Sequence, residues 1–301
     1  MIIDAHTHIF PPDFARDRAA LAARDPWFAR TYGDGRARMA TAEELIASLD
    51  AAGIAAAVVC GWPWRDLAPC RAHNDYLLDA ARRWPGRLLP LAIVPPTAGA
   101  AALAEAARSL DAGAVGLGEL NADAQGFDFV DPAGLAALAA LLTARDKPLL
   151  LHASEPVGHD YPGKGTATPD RLLPFIRANP ALRIVAAHWG GGLPFYALMP
   201  EIAAATRNVW YDSAASTYLY DFAVFRHVAA IVGPERVLWG TDYPLLRPGP
   251  FLRHTRAVGL DEAALAAILG ENARRLFAPA PADGSLRQAA SAPAPTSGLL
   301  G

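Results

Sequence analysis

Cysteine is scarce in this 301-residue chain: Cys60 and Cys70 are its only thiols, too few for a disulfide framework, which excludes a small cross-linked secreted scaffold. Basic excess is missing as well. A net charge of −3 leaves no surplus of cations to neutralise a phosphate backbone, so the expected partner is a small molecule and not nucleic acid. Lysine occurs only at positions 147 and 164; with the abundance of alanine, this reads as genomic composition and carries no function. A membrane-spanning run is also lacking, because the longest uncharged stretch, residues 184–200, is interrupted by His188, three glycines and Pro194. The first residues enter an apolar strand without the basic and apolar regions of a signal peptide. The expectation is a cytoplasmic protein that binds no membrane, with self-association into a homodimer left open.

What the chain does have is apolar bulk, 52% hydrophobic residues against 19% charged, enough for a large core. Its length could hold two average domains, but α/β barrels of about 250 residues form one. The order of elements decides. An apolar run at residues 1–10 is followed by 30 irregular residues, 11–40, too long for a simple connection. A helix then starts at a Thr41/Glu44 capping box and stops at Gly53. Further apolar runs at 54–62, 88–94, 114–120, 148–153, 182–188, 209–213 and 237–241 alternate with helical segments. Eight such units predict a parallel sheet covered on both faces and closed into a (β/α)8 TIM barrel over residues 1–277. The remainder, 278–301, is rich in Ala, Pro and Ser without periodicity and is expected to be a flexible, disordered tail.

Chemistry in such barrels gathers at the C-terminal ends of the strands, so the polar residues that close each apolar run are the ones to weigh. The first run, MIIDAHTHIF, ends in His6 and His8; as a strand it would project Asp4, His6 and His8 to one side, with the imidazole-bearing Cα atoms about 6.5 Å apart. Neutral imidazole is a preferred ligand for zinc, which at catalytic sites takes about three protein ligands and leaves a place for water. The fourth run closes on Glu119, the fifth on His152, the sixth on His188 and the eighth on Asp242, while His73, His159, His227 and His254 fall on helices or loops. Histidine is costly to bury without a hydrogen bond or a metal, so this convergence on one rim is the main functional signal.

The DAHTH of the first strand, the His of LLLHASE, the His of VAAHWGG and the GTDYP of the eighth strand together resemble the amidohydrolase superfamily. The likeness is to its branch of small single-barrel enzymes similar to aminocarboxymuconate-semialdehyde decarboxylase and pyrone-dicarboxylate lactonase. The resemblance implies a divalent metal held by His6, His8, His152 and Asp242, with His188 polarising the substrate and Asp242 taking a proton from metal-bound water. Zinc is the expected ion, manganese remains open, and Glu119 could bridge a second ion, act as an extra acid or base, or bond its neighbours.

The expected reaction is hydrolysis of an ester, lactone or amide in a small, carboxylated organic acid; the alternative is non-oxidative decarboxylation of a small carboxylated acid, aromatic acids included, at the same metal site. Around it, Trp62 and Trp64, the loop bearing Glu155, His159, Tyr161 and Lys164, the N–H groups of 190–192, and Arg65 and Arg247 are candidates for substrate contact.

Overall fold

The structure, a computed structural model, describes residues 1–129 and 133–277. The expected tail, 278–301, lies outside the described residues. Eight parallel strands follow one another in chain order: β1 (Ile3–His8), β2 (Ala56–Cys60), β3 (Leu88–Ala92), β4 (Gly116–Leu120), β5 (Leu149–Leu151), β6 (Ile184–Ala186), β7 (Val209–Asp212) and β8 (Val237–Leu238). The ring closes where β1 meets the chain just beyond β8. Ala5 N–H donates to the Trp239 carbonyl at 2.8 Å, Asp242 N–H donates to that of His6 at 2.9 Å, and Thr7 bridges Tyr243. The chain therefore forms the expected (β/α)8 TIM barrel.

The strands are apolar almost throughout because both their faces are covered. Ala56 and Val58 join Ile3, Leu91, Leu150, Val185 and Leu238 in the smaller core, whereas Ala57 and Val59 belong to the larger core that includes the helices. Two β-bulges interrupt this alternation. Asp4 lies opposite Ala57 and Thr7 opposite Val59, so Ala5 and His6 together face one residue, Val58. In β4, Leu117 lies opposite Leu149 and Leu120 opposite Leu151, so Gly118 and Glu119 together face Leu150. Gly118 is required there: its φ is +132°, and a Cβ would lie 2.4 Å from the Leu150 carbonyl oxygen.

Two stretches differ from expectation. Residues 11–40 are not irregular but contain three short helices, Pro12–Arg16, Arg18–Arg24 and Pro26–Tyr32. Pro12 and Pro26 occupy first helical positions, where a missing N–H costs nothing, and the Asp25 carboxylate caps the third helix by accepting from Phe28 N–H at 2.8 Å. The sixth strand stops at Ala186, short of His188, because His188 and Trp189 adopt left-handed φ values of 56° and 57°. Among the described residues, no helix is long and apolar enough to cross a membrane.

Candidate active site

The β1 bulge turns His6 and His8 toward each other, leaving their Nε2 atoms 3.1 Å apart. Gly240 makes room behind them, since a Cβ there would lie 2.8 Å from that of His6. Asp4 does not share their face as the simple strand period predicts. The extra residue in the bulge puts it on the other side, where it accepts from the Thr241 backbone N–H at 2.9 Å and hydroxyl at 2.6 Å and so ties β1 to the end of the barrel.

Asp242 approaches from beyond β8, its Oδ1 3.3 Å from His8 Nε2 and 3.9 Å from His6 Nε2. Glu119 is the hub. One of its oxygens lies 3.5 and 3.6 Å from the Nε2 atoms of His6 and His8; the other lies 2.8 Å from His152 Nδ1 and 3.2 Å from His188 Nε2. His152 Nε2 is engaged with Ser154 Oγ at 3.2 Å. All the residues expected to carry chemistry are thus brought to one mouth of the barrel, Glu119 touching both histidine pairs. His188 and Asp242 each hold a positive φ, a backbone state that costs a non-glycine residue on the order of 1 kcal/mol and clusters at functional sites.

Asp212, at the end of β7, is the buried residue missing from the expected set. It accepts from His6 Nδ1 at 2.9 Å and from the backbone N–H groups of His188 and Ala214, each at 3.0 Å. It closes the seventh apolar run as the others close theirs, so the signal was present in the sequence. Since a carboxylate behind an imidazole fixes its tautomer and raises its basicity, Asp212→Asn should weaken metal binding by about 10- to 100-fold. Titration of the variant against a chelating dye checks this.

The donor set fits a divalent cation. His6 commits Nδ1 to Asp212 and His8 commits Nδ1 to the Gly61 carbonyl at 3.3 Å, so as neutral rings the two would turn their Nε2 lone pairs on each other. A proton or a cation between them is needed. Burial disfavours charge on His6, His8, Glu119, His188 and Asp242, yet their attraction to the charges around them outweighs it. Against that desolvation, Asp212 and Glu119 hold His6 well above its ordinary pKa, Asp242 and Glu119 raise His8, and Glu119 raises His188 to about 9. Burial would lift the acids, but His152 and His6 hold Glu119 well below its usual range, and the hydrogen bond from His8 with the neighbouring imidazoles brings Asp242 to about 2. A cation bound by these nitrogens would displace the protons that the neighbouring carboxylates favour on them.

The cluster forms the floor of a cavity of about 520 Å³ whose walls include Trp27, Tyr32, Trp62, Tyr161 and Tyr218. Trp62, His159 and Tyr161 line it as expected. The other candidates have different work. Trp64 is buried with its Nε1–H donating to His73 at 3.1 Å, and Glu155 accepts from the Tyr161 hydroxyl at 3.0 Å. Lys164 ties its own loop by donating to three of its carbonyls. Gly191 and Gly192 spend their N–H groups on the carbonyls of His188 and Trp189, a tight turn and not an anion site. Arg65 and Arg247 are exposed and lie outside the cavity lining.

Comparison with known proteins places this geometry in context. A family model described as amidohydrolase matches residues 3–278. A 6-methylsalicylic acid decarboxylase of Aspergillus aculeatus is 25% identical, the alignment covering 92% of this chain and 96% of that protein. The 5-carboxyvanillate decarboxylase of Sphingomonas paucimobilis superposes with a TM-score of 0.77 at 20% identity, over 92% of this chain and 98% of that one. The 5-carboxyvanillate decarboxylase of Novosphingobium aromaticivorans, solved with manganese and 4-hydroxy-3-methoxy-5-nitrobenzoic acid, superposes with a TM-score of 0.76 at 19% identity, over 92% and 96%. These relatives overturn the expected hydrolysis of an ester, lactone or amide. One ligand set serves water activation and decarboxylation alike, so the motifs could not separate the two reactions.

Proposed function

The chain belongs to the amidohydrolase family, and from that premise we propose that it is a metal-dependent, non-oxidative decarboxylase of small hydroxylated aromatic acids. The observation that carries this reading is the placement of a buried cluster able to hold a cation, the two triads His6–His8–Glu119 and Glu119–His152–His188, at the floor of an aromatic-walled cavity of about 520 Å³. That volume suits a substituted benzene ring. The whole-length relatives that act on 6-methylsalicylic acid and 5-carboxyvanillate support it.

His6, His8, His152 and Asp242 would hold a divalent cation, which when bound supplies the positive charge that draws the substrate's oxygens to the cavity floor. Manganese is the first ion to try, given the solved relative. The aromatic walls keep water from the ring and hold its plane. His188 would carry the reacting proton: its Nδ1 is engaged with the Ala214 carbonyl at 3.2 Å, and the residue lines the cavity, leaving Nε2 as the end that can hand a proton over. The proton passes from His188 Nε2 to the ring carbon bearing the carboxylate. The bond to that carboxylate then breaks, its electron pair returns to the ring, carbon dioxide leaves, and solvent reprotonates His188.

The test is to incubate the manganese-loaded protein in D2O with 2-hydroxybenzoate, its 6-methyl derivative and 5-carboxyvanillate. Carbon dioxide and a phenol with one deuterium at the vacated carbon are expected. If none of the three loses carbon dioxide, the reading fails.

A further inference from the structure

The segment 11–40 has no role in the chemistry just described, yet it delivers Tyr32 to the cavity. Tyr32 ends the helix Pro26–Tyr32 and is only 7% exposed. Its ring is clamped by Phe10, Phe28 and Trp62, with centroids 5.3, 5.0 and 5.1 Å away. The hydroxyl takes no hydrogen bond among the described residues, and the carboxylates whose charge it feels are Asp242 and Glu119. A hydroxyl without a protein partner, on a residue that lines a ligand-sized cavity, is a donor free for an acceptor in that cavity.

Several other donors of the cavity wall are committed elsewhere. Tyr161 donates to Glu155 at 3.0 Å, and Arg38 pairs with Glu44 at 2.7 Å. Arg36 has a side chain that is 91% exposed and faces Asp34. The Trp62 Nε1 and Thr31 Oγ1 atoms are buried and also lack a partner, but unlike the Tyr32 hydroxyl they are closed off from contact at the surface of the wall. Burial, and after it the Asp242 charge, raises the Tyr32 pKa, so the hydroxyl keeps its proton across the range in which the fold stands.

We propose that Tyr32 is the substrate-recognition residue of this cavity, donating a hydrogen bond from its hydroxyl to a carboxylate oxygen of the bound aromatic acid. The inference deepens the decarboxylase reading and rests on it for the class of ligand. It assigns to the helical insert the recognition of the acid group, leaving metal and proton to the strand ends.

Tyr32→Phe tests it, because the variant keeps the ring and its three aromatic neighbours and loses only the hydroxyl. Calorimetry on the manganese-loaded proteins gives dissociation constants for 2-hydroxybenzoate and for phenol, which lacks the carboxylate. The variant should bind 2-hydroxybenzoate about 10- to 100-fold more weakly, as for a lost hydrogen bond to a charged group, with phenol affinity, metal content and melting temperature unchanged. Unchanged affinity for 2-hydroxybenzoate, an equal loss for phenol, or loss of metal overturns the proposal. Release of carbon dioxide is followed in parallel. Tyr32-dependent binding with no release from any of the three acids upholds the inference and sinks the decarboxylase reading, release with unchanged affinity does the reverse, and a wild-type protein that binds none of the three ends both.

Discussion

His188→Ala retains its metal and loses turnover by about 10²-fold or more, the range expected when a general acid is removed. His188 is buried with its ring 4.9 Å from that of His152 and 5.5 Å from that of His6, yet its hydrogen bonds set it apart from both. Nδ1 is engaged with the Ala214 carbonyl at 3.2 Å, which leaves Nε2, 3.2 Å from Glu119, as the end that can hand over a proton. The left-handed backbone at His188, with the Asp212 carboxylate accepting from its N–H, fixes that aim. Alanine removes the proton and leaves the other imidazoles where they are. Metal analysis and single-turnover carbon dioxide release on the same sample separate the roles: retained metal with slow release is the expected result. If metal falls as far as it does in His152→Ala, His188 is a ligand; if release is unchanged, the proton comes from elsewhere.

How far the sequence foretells this site depends on where the backbone stays regular. Strand-end logic finds His152 because β5 pairs in register through Leu151, the residue before it, with Leu150 in the inner core; Asp242 it finds as a residue, although β8 ends at Leu238 and the backbone at Asp242 is left-handed. It misplaces Asp4 because one bulged residue inverts the face of everything before it, and no local pattern in IDAHTH marks the bulge. Glu119 is legible as a residue but not as a hub: that role follows from the second bulge, which presents its two oxygens to different histidine pairs. His188 reaches the cavity only because its φ turns positive where strand parity would send it outward. Tyr32 lies in a stretch whose prolines and aspartates resemble breaks although they start helices. The reaction class is illegible for a chemical reason, since the same ligands serve both hydrolysis and decarboxylation.

Removing the divalent ion should abolish turnover and lower the melting temperature by on the order of 10 °C, and His6→Ala should abolish the response to metal altogether. An ion present at a thousand times its dissociation constant stabilises the folded state by about 4 kcal/mol, and each kcal/mol moves the midpoint of a domain this large by roughly 2–4 °C. The sign of the accompanying proton flux follows from the electrostatics of the cluster. His6 and His8 are raised because Asp212, Glu119 and Asp242 hold protons on them, and a cation bound by those nitrogens displaces the protons into solvent. Calorimetric titration with manganese in two buffers of different ionisation enthalpy should therefore show net proton release at pH 7. The same titration counts ions per chain. One ion leaves Glu119 linking the histidine pairs as it does here, and two would make it a bridge between them. A melting temperature indifferent to manganese, in protein stripped by chelator, would mean that these imidazoles and carboxylates satisfy one another and need no metal, and the proposed chemistry would lose its electrostatic basis.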